Sequence, residues 1–280
     1  MTTTVLLIGH GSRNPAGNRE VEDFAKRWRE RQPERRIDVC YIEFAEVLLD
    51  DGLDQAARGS ERVIIVPLIL NAAGHVKMEV PAHIAEARRR HPGTEFIYTP
   101  HLGACDDILR AVKRKLHKIL VTLDMPDPKT TGVILLGRGA SDRAANGEVA
   151  KMARWLFEDT DHELVDIAFT GITHPRLEST VKRQVRLGMS QIAVQPYYLF
   201  TGTLIERIRR QVERLRQQYP TVSFGLGEYF GFEPELFKLV EQRVNAALGE
   251  PGHGPARLEC DGCKYRLVAE EHGHGHHHHH

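Results

Sequence analysis

The chain contains an internal duplication with an offset of about 128 residues. Residues 5–12 (VLLIGHGS) align with residues 133–140 (VILLGRGA), and residues 62–68 align with residues 191–197. Solenoid repeats have periods of about 20–50 residues, whereas this unit has the length of a whole domain. The sequence therefore predicts two similar domains.

Short apolar runs alternate with amphipathic stretches in each half of the chain. Helical periodicity occurs at residues 18–31, 81–90 and 204–217, and strand candidates at residues 95–98 and 222–226 follow matching turns that contain proline. Such alternation predicts βαβ units and a parallel sheet. We expect an α/β protein of two duplicated domains, each a parallel sheet flanked by helices, with an active site in the cleft between them.

Shifts in composition predict where the domains begin and end. The Pro- and Asp-containing segment 124–131 reads as a linker between an N-terminal domain (1–123) and a C-terminal domain (132–248). Residues 249–280 form a tail rich in Cys and His.

Charge and hydropathy argue against several classes of function. The 280 residues include 38 Lys and Arg and 38 Asp and Glu, so no net charge favours nucleic acid or a membrane surface. No apolar run reaches the roughly 20 residues of a membrane span, and the N-terminus lacks a signal-peptide pattern. We expect a cytoplasmic monomer or homodimer that binds a small ligand.

Two histidines follow strand-like runs in the N-terminal half. His10 lies in a Gly-rich turn directly after residues 5–9, and His75 comes shortly after residues 62–70. Ligands of open α/β sheets bind beyond the carboxyl ends of the strands, so both imidazoles are expected to face one cleft. A single histidine in such a place is more often structural, and the matching pair favours a functional interpretation.

A carboxylate is expected at the same edge of the sheet. The strand-like run 39–46 lies between the two histidines and contains Glu43 and Glu46. Two neutral imidazoles and one carboxylate suit cobalt, iron, nickel or zinc, whereas magnesium and calcium prefer oxygen ligands. His10, Glu43 and His75 are therefore candidate metal ligands. The alternative is that the glutamates are solvated or cap a helix.

Other chemistries fit the turn at residues 9–15 less well. It is neither a dinucleotide-binding motif nor a P-loop, and Ser12 does not lie in a G-x-S-x-G elbow. Phosphoryl transfer by His10, with Arg13 holding the phosphate, is chemically sensible. It gives Glu43 no role.

Two cysteines in the tail have a spacing typical of metal-binding or redox sites. Cys260 and Cys263 form a C-x-x-C motif outside either predicted core, whereas Cys40 and Cys105 have the setting of packing or surface residues. Strong zinc or cluster motifs contain a second pair, because two thiolates do not complete a four-thiolate shell.

Three motifs resemble those of a known enzyme family. They are GHGSR at residues 9–13, YIEFAE at residues 41–46, and VPLIL at residues 66–70 continuing to GHV at residues 74–76. The resemblance is to the sirohydrochlorin chelatases, in particular the long two-domain cobaltochelatases of the CbiX type, which have the class II chelatase fold. It spans residues 4 to about 247. It implies that His10, Glu43 and His75 hold the incoming metal and help to remove the pyrrole protons.

The resemblance also implies a reaction. A sirohydrochlorin cobaltochelatase inserts Co²⁺ into sirohydrochlorin, an octacarboxylate tetrapyrrole, without ATP and with release of two protons, in anaerobic cobalamin biosynthesis. Two alternatives stay open. One is insertion of Fe²⁺, for sirohaem, or of Ni²⁺ into the same macrocycle, and the other is a metal-storage protein or metallochaperone that binds ions through its tail.

The second copy lacks both histidines. Arg138 stands where the first copy has His10, and Thr203 stands where it has His75, so one active site per chain is expected. The candidate partners for the carboxylates of the tetrapyrrole are Ser12, Arg13, Arg138 and Arg143.

The tail also has counterparts in the family. Long cobaltochelatases of this family carry a C-x-x-C that binds an iron–sulfur cluster and a His-rich stretch that holds metal. The resemblance therefore implies an iron–sulfur cluster or another metal at Cys260 and Cys263, and metal binding by residues 272–280, and it favours cobalt. The His run has a second interpretation, as part of a purification tag.

Overall fold

The structure, a computed structural model, describes residues 2–124 and 126–249, and of His75 it describes the backbone. Strands and helices alternate throughout these residues. The N-terminal half contains β1 (Thr3–Gly9), α1 (Pro15–Arg31), β2 (Arg36–Tyr41), α2 (Leu49–Ala57), β3 (Arg62–Pro67), α3 (Gly74–Arg90), β4 (Glu95–Tyr98) and α4 (Asp106–Val121). The C-terminal half contains β5 (Thr131–Gly137), α5 (Arg143–Glu158), β6 (Val165–Phe169), α6 (Leu177–Arg186), β7 (Gln191–Pro196), α7 (Thr203–Gln218), β8 (Ser223–Leu226) and α8 (Pro234–Leu248).

Each half forms its own four-stranded parallel sheet. The strand orders are β2-β1-β3-β4 and β6-β5-β7-β8. The registers also correspond, because Leu7 of β1 lies beside Val66 of β3, and Leu135 of β5 lies beside Gln195 of β7. Strands covered on both faces read as continuous apolar runs, which is the pattern that β1 and β5 show in the sequence.

The central strands contribute side chains to separate cores. Val5 and Leu7 of β1 belong to a core that both halves share, whereas Leu6 and Ile8 pack with α2 and α3 on the opposite face. The C-terminal half repeats this arrangement, with its own core beneath α6 and α7. Successive side chains of a strand point to opposite faces, so one short strand supplies both layers.

The last helix of each half packs against the other half. Helix α4 lies on β7 and β8, and α8 lies on β3. A Cβ atom on Gly225 of β8 would lie 2.4 Å from Ile119 Cγ2 of α4, so the glycine allows the helix to approach closely. Phe24 of α1 stacks on Phe237 of α8, with ring centroids 4.2 Å apart. The two halves are therefore interlocked through one core.

Two elements differ from the expectation. Strand β2 ends at Tyr41 and the rest of the predicted run 39–46 is a loop, because Phe44 adopts a positive φ of 53° that does not fit a strand. Helix α3 begins at Gly74 and contains Pro81, where the sequence predicted its start. None of the helices in the described residues combines the length and the apolar character needed to cross a bilayer.

Candidate active site

A cleft of about 2010 Å³ lies at the carboxyl ends of the central strands of both sheets. The turns after β1, β3, β5 and β7 border it. Ligands of α/β sheets bind at this end of the strands. The volume exceeds the roughly 300–1,000 Å³ of pockets for drug-sized ligands, so the cleft has room for a larger ligand.

His10 and Glu43 are brought together by a glycine. His10 lies in the turn between β1 and α1, and its side chain is 31% exposed. Gly11 follows with a φ of +92°, and a Cβ atom there would lie 1.6 Å from the Glu43 carbonyl oxygen. The Glu43 N–H donates to the His10 carbonyl oxygen over 3.1 Å. Only glycine permits both the left-handed backbone and this close approach.

The two ring nitrogens of His10 have different neighbours. Nδ1 lies 3.4 Å from Glu43 Oε1, and Nε2 lies 3.2 Å from Arg138 Nη1. A guanidinium can only donate, so Nε2 must accept, and a neutral His10 carries its proton on Nδ1, facing Glu43. A carboxylate behind the imidazole is the usual arrangement of histidines that bind metals.

The third predicted metal ligand lies on the same edge of the sheet. His75 is the second residue of α3, because this helix begins at Gly74 and not at Pro81, where the sequence predicted its start. Its side chain lies outside the described residues. Among the side chains that are described, no three His, Cys, Asp or Glu groups converge on one point. The three-residue metal site therefore stays a prediction, of which the structure describes two donors.

Asn18 of α1 holds the turn that carries His10. Its Oδ1 accepts from the Ser12 N–H over 2.9 Å, and its Nδ2 donates to the Phe44 carbonyl oxygen over 2.8 Å. The hydroxyl of Ser12 accepts from the Asn14 N–H. The Arg13 guanidinium carbon lies 4.7 Å from the centroid of the Phe44 ring. Sequence reasoning missed Asn18, although its recurrence 128 residues later as Asn146 was a signal.

The C-terminal half repeats this backbone without its donors. Gly139 has a φ of +86°, and a Cβ atom there would lie 2.3 Å from the Gly171 carbonyl oxygen. Asn146 accepts from the Ala140 N–H over 2.9 Å, as Asn18 does from Ser12. By this correspondence Gly171 stands at the position of Glu43. The second half therefore keeps the scaffold and lacks the histidine–carboxylate pair.

The far wall of the cleft consists of residues 197–203. The Tyr198 hydroxyl lies 2.7 Å from Thr170 Oγ1. Burial raises the pKa of Tyr198 to about 12, against the smaller opposing effects of the bond to Thr170 and of Arg138. Burial also raises the pKa of Tyr197. Both phenols therefore keep their protons near neutral pH and cannot act as bases there.

Basic side chains surround the cleft. Arg13 and Arg138 border it, as predicted, together with three arginines on helices that the sequence did not single out, namely Arg88, Arg89 and Arg207. Arg143 is exposed at the first position of α5 and is not among the residues that line the cleft, so its contact with a substrate stays a prediction. Arginines on helices escape sequence reasoning because no local motif marks them.

An ion pair joins the two halves beside the cleft. Lys77 Nζ of α3 lies 2.7 Å from Asp142 Oδ2, and Asp142 also caps α5 by accepting from the Ala144 N–H. Asp142 is buried, and its pKa is lowered because the bonds from Lys77 and the backbone outweigh desolvation, which raises it. This contact fixes the first turns of α3, which carry His75, to the C-terminal half.

A family model described as CbiX matches residues 4–119 and again residues 132–247. The chain belongs to the CbiX family. The sirohydrochlorin cobaltochelatase of Priestia megaterium is 35% identical over 270 residues, which cover 96% of this chain and 86% of that protein. The sirohydrochlorin ferrochelatase of the same organism is 26% identical over 250 residues, which cover 89% of this chain and 92% of that protein.

A solved relative shares the fold of this CbiX-family chain. SirB from Bacillus subtilis, solved with Fe³⁺, has a TM-score of 0.78 and 25% identity, and the match covers 92% of this chain and 100% of SirB. The predicted class, two duplicated α/β domains with the class II chelatase fold, is confirmed. Cys260, Cys263 and residues 272–280 lie outside the described residues, so the iron–sulfur cluster and metal binding by the tail stay predictions.

Proposed function

We propose that this chain is a sirohydrochlorin cobaltochelatase, which inserts Co²⁺ into sirohydrochlorin without ATP and serves anaerobic cobalamin biosynthesis. The observation that carries the proposal is His10, backed by Glu43, at the edge of a cleft large enough for a tetrapyrrole. Membership of the CbiX family and the similarity to a cobaltochelatase support the same reaction.

The donors at His10 suit an ion that has to be released again. An imidazole and a carboxylate are acceptable ligands for Co²⁺, Fe²⁺ and Ni²⁺, and a small number of protein ligands leaves coordination positions to water. Such an ion is held weakly and can exchange its ligands for the four nitrogens of a macrocycle. His75, on the first turn of α3, is proposed as the third donor.

Metal insertion must remove two protons from the macrocycle. Two pyrrole N–H bonds break, their electron pairs form bonds to the incoming metal, and two protons pass to bases. A base within hydrogen-bond reach of the N–H groups accelerates this step. His10 and Glu43 border the cleft as candidate bases, and imidazole is the side chain suited to accept a proton near neutral pH, whereas Tyr197 and Tyr198 retain theirs.

The basic side chains of the cleft suit an octacarboxylate. Arginine binds carboxylates through paired hydrogen bonds, and Arg13, Arg138 and Arg207 reach the cleft from different elements. Leu199 and Phe200 on the far wall offer apolar contacts for the face of the macrocycle. Edge carboxylates and an apolar face are the two parts of sirohydrochlorin that a protein must recognise.

The choice of cobalt rests on the relatives. Imidazole and carboxylate ligands do not by themselves separate Co²⁺ from Fe²⁺ or Ni²⁺. The chain is 35% identical to a cobaltochelatase and 26% identical to a ferrochelatase of the same organism, which supports cobalt as the metal inserted.

An anaerobic absorbance assay tests the reaction. Purified protein, sirohydrochlorin and one metal at a time are mixed, and the change of the tetrapyrrole spectrum gives the insertion rate. We expect the largest acceleration over the uncatalysed rate with Co²⁺, and a strongly reduced acceleration from the His10→Ala variant. Faster insertion of Fe²⁺ or Ni²⁺ would overturn the choice of cobalt. If none of the three metals were inserted faster than in the absence of protein, the proposal that the chain is a chelatase would be overturned.

Deletion of the tail distinguishes the proposed chelatase from a metal-storage protein. Deletion of residues 258–280 removes Cys260, Cys263 and the His run and should leave Co²⁺ insertion largely intact. A storage protein or metallochaperone would lose its function. An iron–sulfur cluster on Cys260 and Cys263 would show visible absorbance in anaerobically purified protein that a Cys260→Ala variant lacks.

A further inference from the structure

Arg138 occupies the nitrogen of His10 that faces away from Glu43. Its Nη1 lies 3.2 Å from His10 Nε2. The two residues hold corresponding positions in the two repeats, at the ends of β1 and β5, and they meet across the cleft. Among the described residues, His10 is the hydrogen-bond partner of the Arg138 side chain, which is exposed.

This contact and a bound metal compete for the same electron pair. A neutral imidazole has one N–H and one lone pair. A metal on Nε2 would displace the guanidinium directly. A metal on Nδ1, between His10 and Glu43, would leave the proton on Nε2, where it would face the N–H of Arg138. In either geometry His10 cannot bind a metal and accept from Arg138 at once.

Charge acts in the same direction as the hydrogen bond. The guanidinium of Arg138 is always positive and lies against the imidazole that receives a divalent cation. Two positive charges a few ångströms apart repel, and a partly exposed cleft screens this repulsion incompletely. Metal binding at His10 therefore becomes more favourable when Arg138 moves away.

A carboxylate is a better partner for Arg138 than an imidazole. It accepts two parallel hydrogen bonds from a guanidinium and carries a full negative charge, whereas His10 offers one neutral acceptor. The tetrapyrrole of the proposed function has eight carboxylates, and Arg138 borders the cleft in which it would lie. Binding of the tetrapyrrole would supply the acceptor that draws Arg138 off His10.

We propose that Arg138 weakens metal binding at His10 until a carboxylate of the tetrapyrrole binds its guanidinium. The proposal rests on the proposed function and adds an order to it, in which the macrocycle prepares the metal site. Coupling between two ligands is reciprocal and typically amounts to about 5–150-fold in affinity. The contact would lower the affinity of His10 for a metal before the tetrapyrrole is present.

Metal titration without any tetrapyrrole tests this proposal. The full chain and its Arg138→Ala and Arg138→Met variants are titrated with Co²⁺ by calorimetry, and the His10→Ala variant, which retains the same histidine-rich tail, is subtracted as the blank. We expect both Arg138 variants to bind Co²⁺ at His10 about tenfold more tightly than the original chain, within the usual range of coupling. Arg207→Ala, which removes another arginine of the cleft, should change the affinity by less than about twofold.

The contradicting result is equally specific. If Arg138 only binds substrate, its variants will raise the KM for sirohydrochlorin and leave the affinity for Co²⁺ unchanged, which overturns the proposal. Equal tightening by Arg207→Ala would also overturn it, because general repulsion would then suffice. The titration contains no tetrapyrrole, so its failure leaves the insertion assay and the proposed function untouched.

Discussion

The two halves of the molecule share a backbone and differ in chemistry. In the N-terminal half the segments that follow β1, β2 and β3 carry His10, Glu43 and His75, respectively. In the C-terminal half the corresponding positions carry Arg138, Gly171 and Thr203. The first set can bind a metal and accept protons, whereas the second can hold anions but offers neither an imidazole nor a carboxylate.

The two halves share features that the geometry of the backbone requires. Gly11 and Gly139 both have a positive φ, and a Cβ atom on either would collide with a carbonyl oxygen of the following strand's loop. Asn18 and Asn146 hold the two turns in the same way. The comparison shows that the shared backbone requires the glycines and asparagines of the two turns. The side chains that face the cleft can differ between the halves and can therefore have different functions.

The largest difference between the halves is expected at His10. His10→Ala removes the imidazole that the account assigns to metal and proton transfer, so Co²⁺ insertion should fall by about 10²-fold or more. Arg138→Ala, the matched change in the second half, should raise the KM for sirohydrochlorin and leave the metal ligand His10 in place. Steady-state absorbance kinetics measure both. Near-normal turnover of His10→Ala would contradict the assignment of the active site to the N-terminal half.

His75 and Thr203 provide the next matched pair. Both lie in the first turn of a helix, α3 and α7 respectively. His75→Ala should reduce Co²⁺ insertion by about 10²-fold, as expected for a lost metal ligand or base, and Thr203→Ala by less than about threefold. Equal losses in the two variants would show that the halves contribute alike.

Glu43 should act partly through His10. Glu43→Gln keeps the shape but weakens the acceptor behind Nδ1, and the loss of such a partner typically costs about 10–100-fold in metal affinity or activity. Glu46→Gln is the control, because Glu46 is exposed nearby in the same loop. Comparison of the two insertion rates decides whether Glu43 has this role, which a similar rate in both variants would contradict.

Substitutions of Gly11 and Gly139 distinguish an effect on stability from an effect on metal binding. Alanine at either position places a non-glycine residue at a positive φ against a carbonyl oxygen, so each should lower the free energy of unfolding by about 1–3 kcal/mol. Only Gly11→Ala should also weaken Co²⁺ binding, since it displaces Glu43. Urea unfolding measures the stability and Co²⁺ titration measures the metal binding. Equal losses of Co²⁺ affinity in the two variants would contradict a metal site in the N-terminal half alone.

The smallest effect concerns the helix caps. Asn14 caps α1 and Asp142 caps α5. Because the folded pKa of Asp142 is lowered from 3.8, its bond to Lys77 stabilises the fold at neutral pH, and this contribution is lost as the pH falls below about 4. Asp142→Asn should cost about 0.5–1.5 kcal/mol at pH 7 and less at pH 3. Unfolding curves at both pH values test this, and a cost independent of pH would contradict it.

Sequence patterns predicted the turns that carry the candidate site better than they predicted the packing around these turns. The apolar run before His10 and the matching run before Arg138 predicted where the two turns lie. Buried parallel strands read as continuous hydrophobic runs, so the end of each run marks the carboxyl end of a strand. The exchange of α4 and α8 between the halves could not be predicted, since an amphipathic pattern shows that a helix has an apolar face but not which sheet covers it.

Contacts across the cleft were also beyond sequence reasoning. The pair Lys77–Asp142 and the contact of Arg138 with His10 join residues more than 60 positions apart, and neither has a local motif. Helix α3 was predicted to begin at Pro81, where a helix start is favoured, but it begins at Gly74, because the helix accepts the loss of one backbone hydrogen bond.

The central claim is that the metal site belongs to the N-terminal half alone. Crystals soaked with a saturating concentration of Co²⁺ and measured at the cobalt absorption edge test it most directly. We expect an anomalous peak in contact with His10 and Glu43, and no peak beside Arg138 and Gly171. A peak in the second half, or an empty first half in crystals of active protein, would contradict the account.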